Sequence, residues 1–85
     1  MNKNMKVVLN YCGYYKKTTG KQSEEFEIYL NSPAEHISRH LKSNYDIDPP
    51  FIILLNGKNL IRILKDGYEL KEGDELNILP HISGG

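Results

Sequence analysis

The final two residues of this sequence, Gly84 and Gly85, are of a type and in a place that could support covalent chemistry. A carboxylate on a terminal glycine has no side chain beside it, and its backbone takes conformations that are closed to other residues. Such a segment is thin enough to enter a narrow channel of another enzyme and present its carboxyl group there. Because chain ends are also commonly disordered without any function, the pair gains meaning only from the residues before it.

The composition predicts one small globular domain in a reducing compartment. The chain has 85 residues, and its eleven Lys and Arg balance eleven Asp and Glu, which argues against a general nucleic-acid binder. The single cysteine, Cys12, rules out an intramolecular disulfide. The sequence has neither an apolar run of membrane-spanning length nor a signal-peptide pattern, so we expect a cytoplasmic protein that has no membrane partner.

The hydrophobic pattern predicts the order strand, strand, helix, strand, short strand or turn, strand. Alternating apolar residues indicate strands over 5–11 and 25–30, which most simply form a hairpin, and the polar stretch 12–23 predicts a long connecting loop. The continuous apolar run 51–55 indicates an interior strand buried on both faces, or nearly so. Further strands are expected over 60–64 and 75–79.

A helix is predicted to begin at Ser32 and to end near Asn44 or Tyr45. Ser32 can accept hydrogen bonds from the first backbone amides, Pro33 loses no amide bond at the first helical position, and Glu35 can complete a capping box. The apolar residues recur at spacings of three and four and form one face: Ala34, Ile37, Leu41 and Tyr45. The prolines that follow the helix cannot continue it.

Three residues outside the terminal segment have side chains capable of metal or thiol chemistry. His36 and His40 are four residues apart on the predicted helix and could share a metal, but no third ligand is evident, so a solvated helix face is favoured. Cys12 lies at a strand end with no supporting histidine and acid, which favours an ordinary buried cysteine over a nucleophile or redox site.

Three lysines, Lys16, Lys17 and Lys21, make the first loop basic. They could steer an acidic partner towards the protein, since complementary charge accelerates encounter. A solvated loop with no binding role explains them equally well.

Three stretches near the end of the chain resemble the ubiquitin-like sulfur carriers (MoaD/ThiS), and most of all the small subunit of molybdopterin synthase. They are Leu54-Leu55-Asn56-Gly57-Lys58-Asn59-Leu60, Leu70-Lys71-Glu72-Gly73-Asp74-Glu75-Leu76 and Ile78-Leu79-Pro80-His81-Ile82-Ser83-Gly84-Gly85. The combination of an Asn-Gly turn, a Gly-Asp turn before the last strand and a proline-containing tail ending in Gly-Gly carries the resemblance. The order of elements extends it to the whole chain.

The resemblance implies an α+β fold of the β-grasp type, with a mixed four- to five-stranded sheet packed on one main helix. It divides the chain into a single domain, residues 1–80, and a flexible tail, residues 81–85. It also implies a carrier that is not itself an enzyme and binds no cofactor. A ubiquitin-activating-type adenylyltransferase uses ATP to adenylate the terminal glycine, and a persulfide donor then supplies sulfur to form a thiocarboxylate.

Within this scheme Gly85 carries the acyl adenylate and then the thiocarboxylate, and Gly84 keeps the segment before it thin. Pro80 stiffens the exit from the sheet. Contacts with partner proteins are expected from exposed residues near the tail: Leu60, Leu79, Pro80, His81, Ile82 and Ser83.

Two departures from the molybdopterin pattern leave the pathway open. Pro80-His81 stands where many members have two prolines, and Lys16-Lys17 stands where many carry an Arg-Glu pair. Molybdopterin synthesis, with the large synthase subunit as partner, is the leading interpretation. The alternatives are sulfur delivery to thiazole synthase for thiamine or to another sulfur metabolite, a ubiquitin-like protein modifier, and a plain β-grasp interaction module with an inert tail.

Overall fold

A five-stranded mixed sheet is the centre of the computed structural model, which describes residues 4–81. The strands are β1 (Asn4–Tyr11), β2 (Ser23–Tyr29), β3 (Phe51–Leu55), β4 (Lys58–Asn59) and β5 (Glu75–Pro80). The helices are α1 (Tyr15–Thr19), α2 (Pro33–Tyr45) and α3 (Leu60–Lys65). Within the described residues, no helix combines the length and the apolar character needed to cross a membrane.

Strand β5, the last in sequence, lies in the middle of the sheet. The spatial order is β2-β1-β5-β3-β4, with β1 antiparallel to β2 and parallel to β5, and β3 antiparallel to both β5 and β4. The predicted β-grasp fold, a mixed sheet with one main helix, is therefore confirmed.

The core lies between the helices and one face of the sheet, which we call the covered face. Alternate residues of the strands point into it because side chains of a strand alternate between its two faces. Helix α2 adds Ile37 and Leu41, both fully buried. The strand residues of the core are Val7, Leu9, Tyr11, Ile28, Ile53, Leu55, Leu76 and Ile78.

The main helix begins and ends where the sequence predicts, but its first turn is held differently. Ser32 makes no side-chain capping hydrogen bond, so the predicted capping box is wrong. The Ser32 backbone carbonyl instead accepts the first helical hydrogen bond, from the His36 amide at 3.0 Å. Asp46, in the left-handed conformation at φ 56°, ends the helix ahead of the two prolines.

Two short helices replace elements that the sequence pattern predicted otherwise. The expected loop 12–23 contains α1, which forms because Tyr15 is buried in the core and Gly20 closes the helix at φ 73°. The expected strand over 60–64 is helix α3. The Asn59 side chain caps it by accepting from the Arg62 amide at 3.3 Å, and Leu60 is buried beneath it.

Strand β3 is buried on one face rather than on both. Ile53 and Leu55 lie in the core, whereas Ile52 and Leu54 are only half-buried on the opposite face of the sheet. The physical reason is that the buried helix residues pack on the covered face, so open-face residues of the central strands, such as Val8 and Leu79, are only half-buried too. We call this second side of the sheet the open face.

Candidate functional site

The end of the central strand β5 is the last regular structure before the terminal residues of the sequence. On one side of β5, Leu79 and Pro80 oppose Ile52 and Phe51 of β3, and on the other side Ile78 opposes Tyr11 of β1. His81 follows Pro80 and is exposed. We call this end of β5, from Leu79 to His81, the tail exit. Ladders on both sides hold β5 as far as Ile78, and β3 alone pairs with Leu79 and Pro80, so the sheet fixes where the tail exit begins.

The turn that leads from β1 into α1 forms one wall of the tail exit. The Cys12 amide donates to the Ile78 carbonyl at 3.0 Å, which extends the parallel ladder by one bond. Gly13 follows with φ +60°, a conformation that favours glycine. A Cβ atom at Gly13 would lie 3.5 Å from the Pro80 ring, so this turn packs against the last residue of β5.

Of the residues predicted to contact partners, the structure describes four. Leu79 and Pro80 are half-buried and His81 is exposed, so all three lie at the surface where the tail begins. Leu60 has no exposed surface, so its expected exposure was wrong. As the first residue of α3, it turns into the core instead of lying along an edge strand. Ile82, Ser83, Gly84 and Gly85 lie outside the described residues.

A strip of half-buried aliphatic side chains leads across the open face to the tail exit. Leu79 opposes Ile52 in the β3–β5 ladder, and Leu54 lies on the same face, two residues after Ile52. Beside the strip, the Asn10 side chain donates to Asn77 and to Glu75, both at 3.0 Å. This open-face strip is thus an apolar surface with polar neighbours, next to the tail exit.

Helix α1 presents a basic and aromatic surface next to the tail exit. Tyr15 is buried and anchors the helix, while the neighbouring Tyr14 is 62% exposed, with 5.1 Å between the two ring centroids. Lys16 and Lys17 are both exposed. The structure thereby brings two of the three predicted basic residues to the tail exit, while Lys21 pairs instead with Glu24 at 3.1 Å.

Glu24 is the centre of a polar cluster that sequence reasoning missed. Its carboxylate accepts hydrogen bonds from Tyr11 and from Tyr45 at 2.8 Å, contacts His40 Nε2 at 3.1 Å, and accepts from Lys21 at 3.1 Å. The cluster joins β1, β2 and the last turn of α2. A signal was present in the sequence, because Glu24 shares a strand face with the apolar residues Phe26 and Ile28.

The hydrogen bonds decide the ionisation of Glu24. Burial by itself raises the pKa, but the bonds from Tyr11, His40, Tyr45 and Lys21 outweigh burial and lower the pKa to about 2. Burial, and then the bond to Glu24, raises the pKa of the Tyr11 hydroxyl. The cluster therefore holds one carboxylate anion among neutral and cationic donors.

The two histidines of α2 pack against β2 and do not form the expected solvated face. The His36 ring stacks on Tyr29 with centroids 4.0 Å apart, and its Nδ1 accepts from the Tyr29 amide at 3.1 Å. Burial, and then the nearby charges of Arg39 and His40, lower the pKa of His36. Within residues 4–81, no three His, Cys, Asp or Glu side chains are grouped closely enough to hold a metal ion.

The fold defines a ubiquitin-like β-grasp protein whose last strand, β5, lies in the middle of the sheet. The sequence profile described as the ThiS family matches residues 9–85. The chain therefore belongs to the ThiS family. A comparison with curated proteins gives no match.

Solved structures of archaeal proteins share the fold. The Haloferax volcanii HVO 2177 protein superposes with a TM-score of 0.72 at 19% identity, over 96% of this chain and 88% of that one. A candidate molybdopterin converting factor, subunit 1, from Pyrococcus furiosus gives 0.68 at 20% identity, over 92% and 99%. Small archaeal modifier protein 1 from Methanosarcina acetivorans gives 0.55 at 24% identity, over 98% and 99%.

Membership of the family settles the general role. Proteins of the ThiS family are sulfur carriers without catalytic activity of their own, within a group that includes small ubiquitin-like modifiers. Their partner is an activating enzyme of the ubiquitin-activating type. The resemblance to the MoaD/ThiS carriers is thereby confirmed at the level of the family.

Proposed function

We propose that this protein carries sulfur as a thiocarboxylate on Gly85 and delivers it as the small subunit of molybdopterin synthase. The observation that supports the carrier role is the position of β5 in the middle of the sheet: it is paired on both sides up to Ile78, and β3 pairs with Leu79 and Pro80 beyond it. The family match extends through Gly85 itself.

The geometry of the tail exit suits insertion into a channel. The five residues 81–85 span at most about 17 Å when extended, and the last two are glycines. Because its base is fixed, the tail loses less conformational freedom when the partner aligns the Gly85 carboxylate with ATP. Pro80, at the end of β5, limits rotation where the segment begins.

The chemistry needs activation because a carboxylate oxygen is a poor leaving group. In the proposed cycle, the Gly85 carboxylate attacks the α-phosphate of ATP bound to the activating enzyme, and pyrophosphate leaves. The terminal sulfur of a persulfide then attacks the acyl carbon and displaces AMP, which gives an acyl disulfide. A thiol reduces that disulfide and releases the thiocarboxylate, whose sulfur passes to the acceptor.

The open-face strip extends the proposed contact from the tail to the folded domain. Ile52, Leu54 and Leu79 lie together on the open face, and a continuous apolar surface of this kind is typical of sites where proteins bind. We assign the strip to the partner that receives the tail, together with the predicted contacts Pro80, His81, Ile82 and Ser83.

Sulfur loading is tested by intact-protein mass spectrometry. The chain is incubated with ATP, its cognate activating enzyme and a persulfide donor. We expect a mass gain equal to the exchange of one oxygen for one sulfur, mapped to Gly85, and no gain in a variant that lacks Gly85. A truncated protein that still receives sulfur would overturn the proposal. Equal unfolding free energies of the two proteins show that the fold is intact.

The assignment to molybdopterin rests on the tail and turn motifs, since likeness to the Pyrococcus furiosus protein at 20% identity concerns the fold alone. It is tested by adding the loaded chain to a large synthase subunit and a pterin precursor. Formation of the dithiolene product supports it. Transfer to a thiazole synthase instead would move the protein to the thiamine pathway.

Protein modification is the second candidate function, because an activated Gly85 could react with an amine as well as with a sulfur donor; small archaeal modifier protein 1 shares the fold. In that case a lysine amine of a target displaces AMP from Gly85 and forms an isopeptide bond. Affinity-tagged chain is expressed in its native host, and its adducts are digested and sequenced. Covalent adducts that disappear with the Gly85 deletion would establish this role.

A further inference from the structure

We propose that Tyr14, Lys16 and Lys17 form a docking patch for an acidic surface beside the mouth of the activating enzyme's channel. The inference rests on the proposed function, because it names the part of this chain that the tail-receiving enzyme recognises outside the tail. We call these three residues the α1 patch.

The position of the α1 patch is fixed relative to the tail exit. Gly13 packs against Pro80, and the Cys12 amide bonds to the Ile78 carbonyl, so α1 begins directly beside the end of β5. The buried ring of Tyr15 holds the helix against the core. Any enzyme that takes in the tail as far as Pro80 therefore has its channel mouth next to α1.

The charge of the α1 patch is not compensated within the described residues. Lys21 pairs with Glu24 at 3.1 Å, and Lys42 pairs with Asp46 and Asp48 at 2.8 and 2.9 Å. Lys16 and Lys17 form no ion pair between residues 4 and 81, and both are exposed. Two positive charges, adjacent in sequence, are thus exposed on the helix that follows the Gly13 turn.

The exposed Tyr14 ring adds an apolar contact surface to the two charges of the α1 patch. A tyrosine at 62% exposure combines apolar area with a hydroxyl group, and tyrosine is enriched at protein interfaces. Two lysines on a chain of zero formal charge are too few for binding to nucleic acid or lipid at physiological salt. A protein surface with Asp or Glu side chains fits this size and charge.

The test measures activation kinetics with the full chain and its cognate enzyme, by ATP–pyrophosphate exchange at low and high salt. We expect the double variant Lys16→Glu/Lys17→Glu to raise KM about tenfold at low salt with kcat unchanged, since long-range charge acts on encounter. The difference should nearly vanish at about 0.5 M salt because salt screens it. Lys16→Gln/Lys17→Gln should give a smaller rise, and Tyr14→Ala a rise that salt does not remove.

A matched control reverses the charge of two lysines outside the α1 patch. Lys58 and Lys65 are exposed, in β4 and α3, and Lys58 opposes Leu55, at the end of β3 away from Pro80. Lys58→Glu/Lys65→Glu changes the net charge equally and should leave KM within about twofold. Equal effects of the two charge reversals, or an unchanged KM for the α1 variant, would overturn the docking patch. Absence of exchange with the wild-type chain and a demonstrably active enzyme would instead overturn the proposed function.

Discussion

The covered and the open faces of the sheet are made from neighbouring residues of the same strands, yet the covered face is buried and the open face is only half-buried. On β3, Ile53 is 6% exposed within an entirely apolar core, while Ile52 lies half-buried among aliphatic and polar neighbours. The two residues are chemically identical, so the difference comes only from which face the strand turns to the helices. The covered face fixes the position of β5, and the open face leaves surface beside the tail exit for a partner.

The largest effect is expected on the covered face. Ile53→Ala removes buried methyl groups from a packed core and should lower the free energy of unfolding by roughly 2–5 kcal/mol. Urea denaturation followed by circular dichroism measures it. A loss well below 1 kcal/mol would mean that β3 does not contribute to the core as described.

A smaller loss is expected when the Glu24 carboxylate is removed. Glu24→Gln should lower the free energy of unfolding by roughly 1–3 kcal/mol near neutral pH, because Tyr11, Tyr45 and His40 lose a charged acceptor. It is measured by urea denaturation of both proteins. Equal stability of the two proteins would show that the cluster contributes no net free energy.

The stabilisation that Glu24 provides should depend on pH, and the Glu24→Gln variant measures this dependence. The folded pKa of about 2 lies below the ordinary value of 4.5, so the stabilisation is present above about pH 4.5 and is lost as the pH falls towards 2. The unfolding free energies of wild type and Glu24→Gln should therefore converge between these values. A difference that stays constant down to pH 2 would contradict the assigned ionisation.

On the open face, the matched change Ile52→Ala should separate stability from binding. We expect it to lower the free energy of unfolding by less than about 1 kcal/mol, because the side chain is only half-buried. It should raise KM for the activating enzyme roughly fivefold if the strip docks there. An unchanged KM would remove the open-face strip from the proposed contact.

The smallest effect is expected at the exposed pair of Arg39 and Glu35, which lie 3.3 Å apart with side chains 69% and 72% exposed. Arg39→Ala should change the free energy of unfolding by less than about 0.5 kcal/mol, since solvent screens such pairs. Thermal unfolding measures it. A larger loss of unfolding free energy would show that the Arg39 side chain makes a stabilising contact besides its pair with Glu35.

The sequence was sufficient for elements whose pattern is long enough to be read locally. The alternation in β1 and β2 and the spacing of Ile37 and Leu41 in α2 predicted both the elements and their buried faces. They also predicted the helix after the hairpin, and with it the class of the fold.

The short helices α1 and α3 depend on tertiary contacts, which a local sequence pattern does not reveal. Helix α1 has five residues and no side-chain cap, and it forms because Tyr15 is buried. The β-branched and apolar residues of α3 favoured a strand, and the Asn59 cap that begins the helix is seen only in the structure. For the site, the Gly-Gly pair could be recognised from sequence, whereas the packing of α1 beside Pro80 required the sheet topology.

The central position of β5 also determines how the protein responds to mechanical force. A pull on the C-terminal segment acts along β5, while the hydrogen bonds of its two ladders run across it, to β1 and to β3. The load therefore falls on many bonds in shear at once, instead of opening them one after another. A force applied to the proposed tail should therefore meet its main resistance at Pro80, the last residue paired with β3.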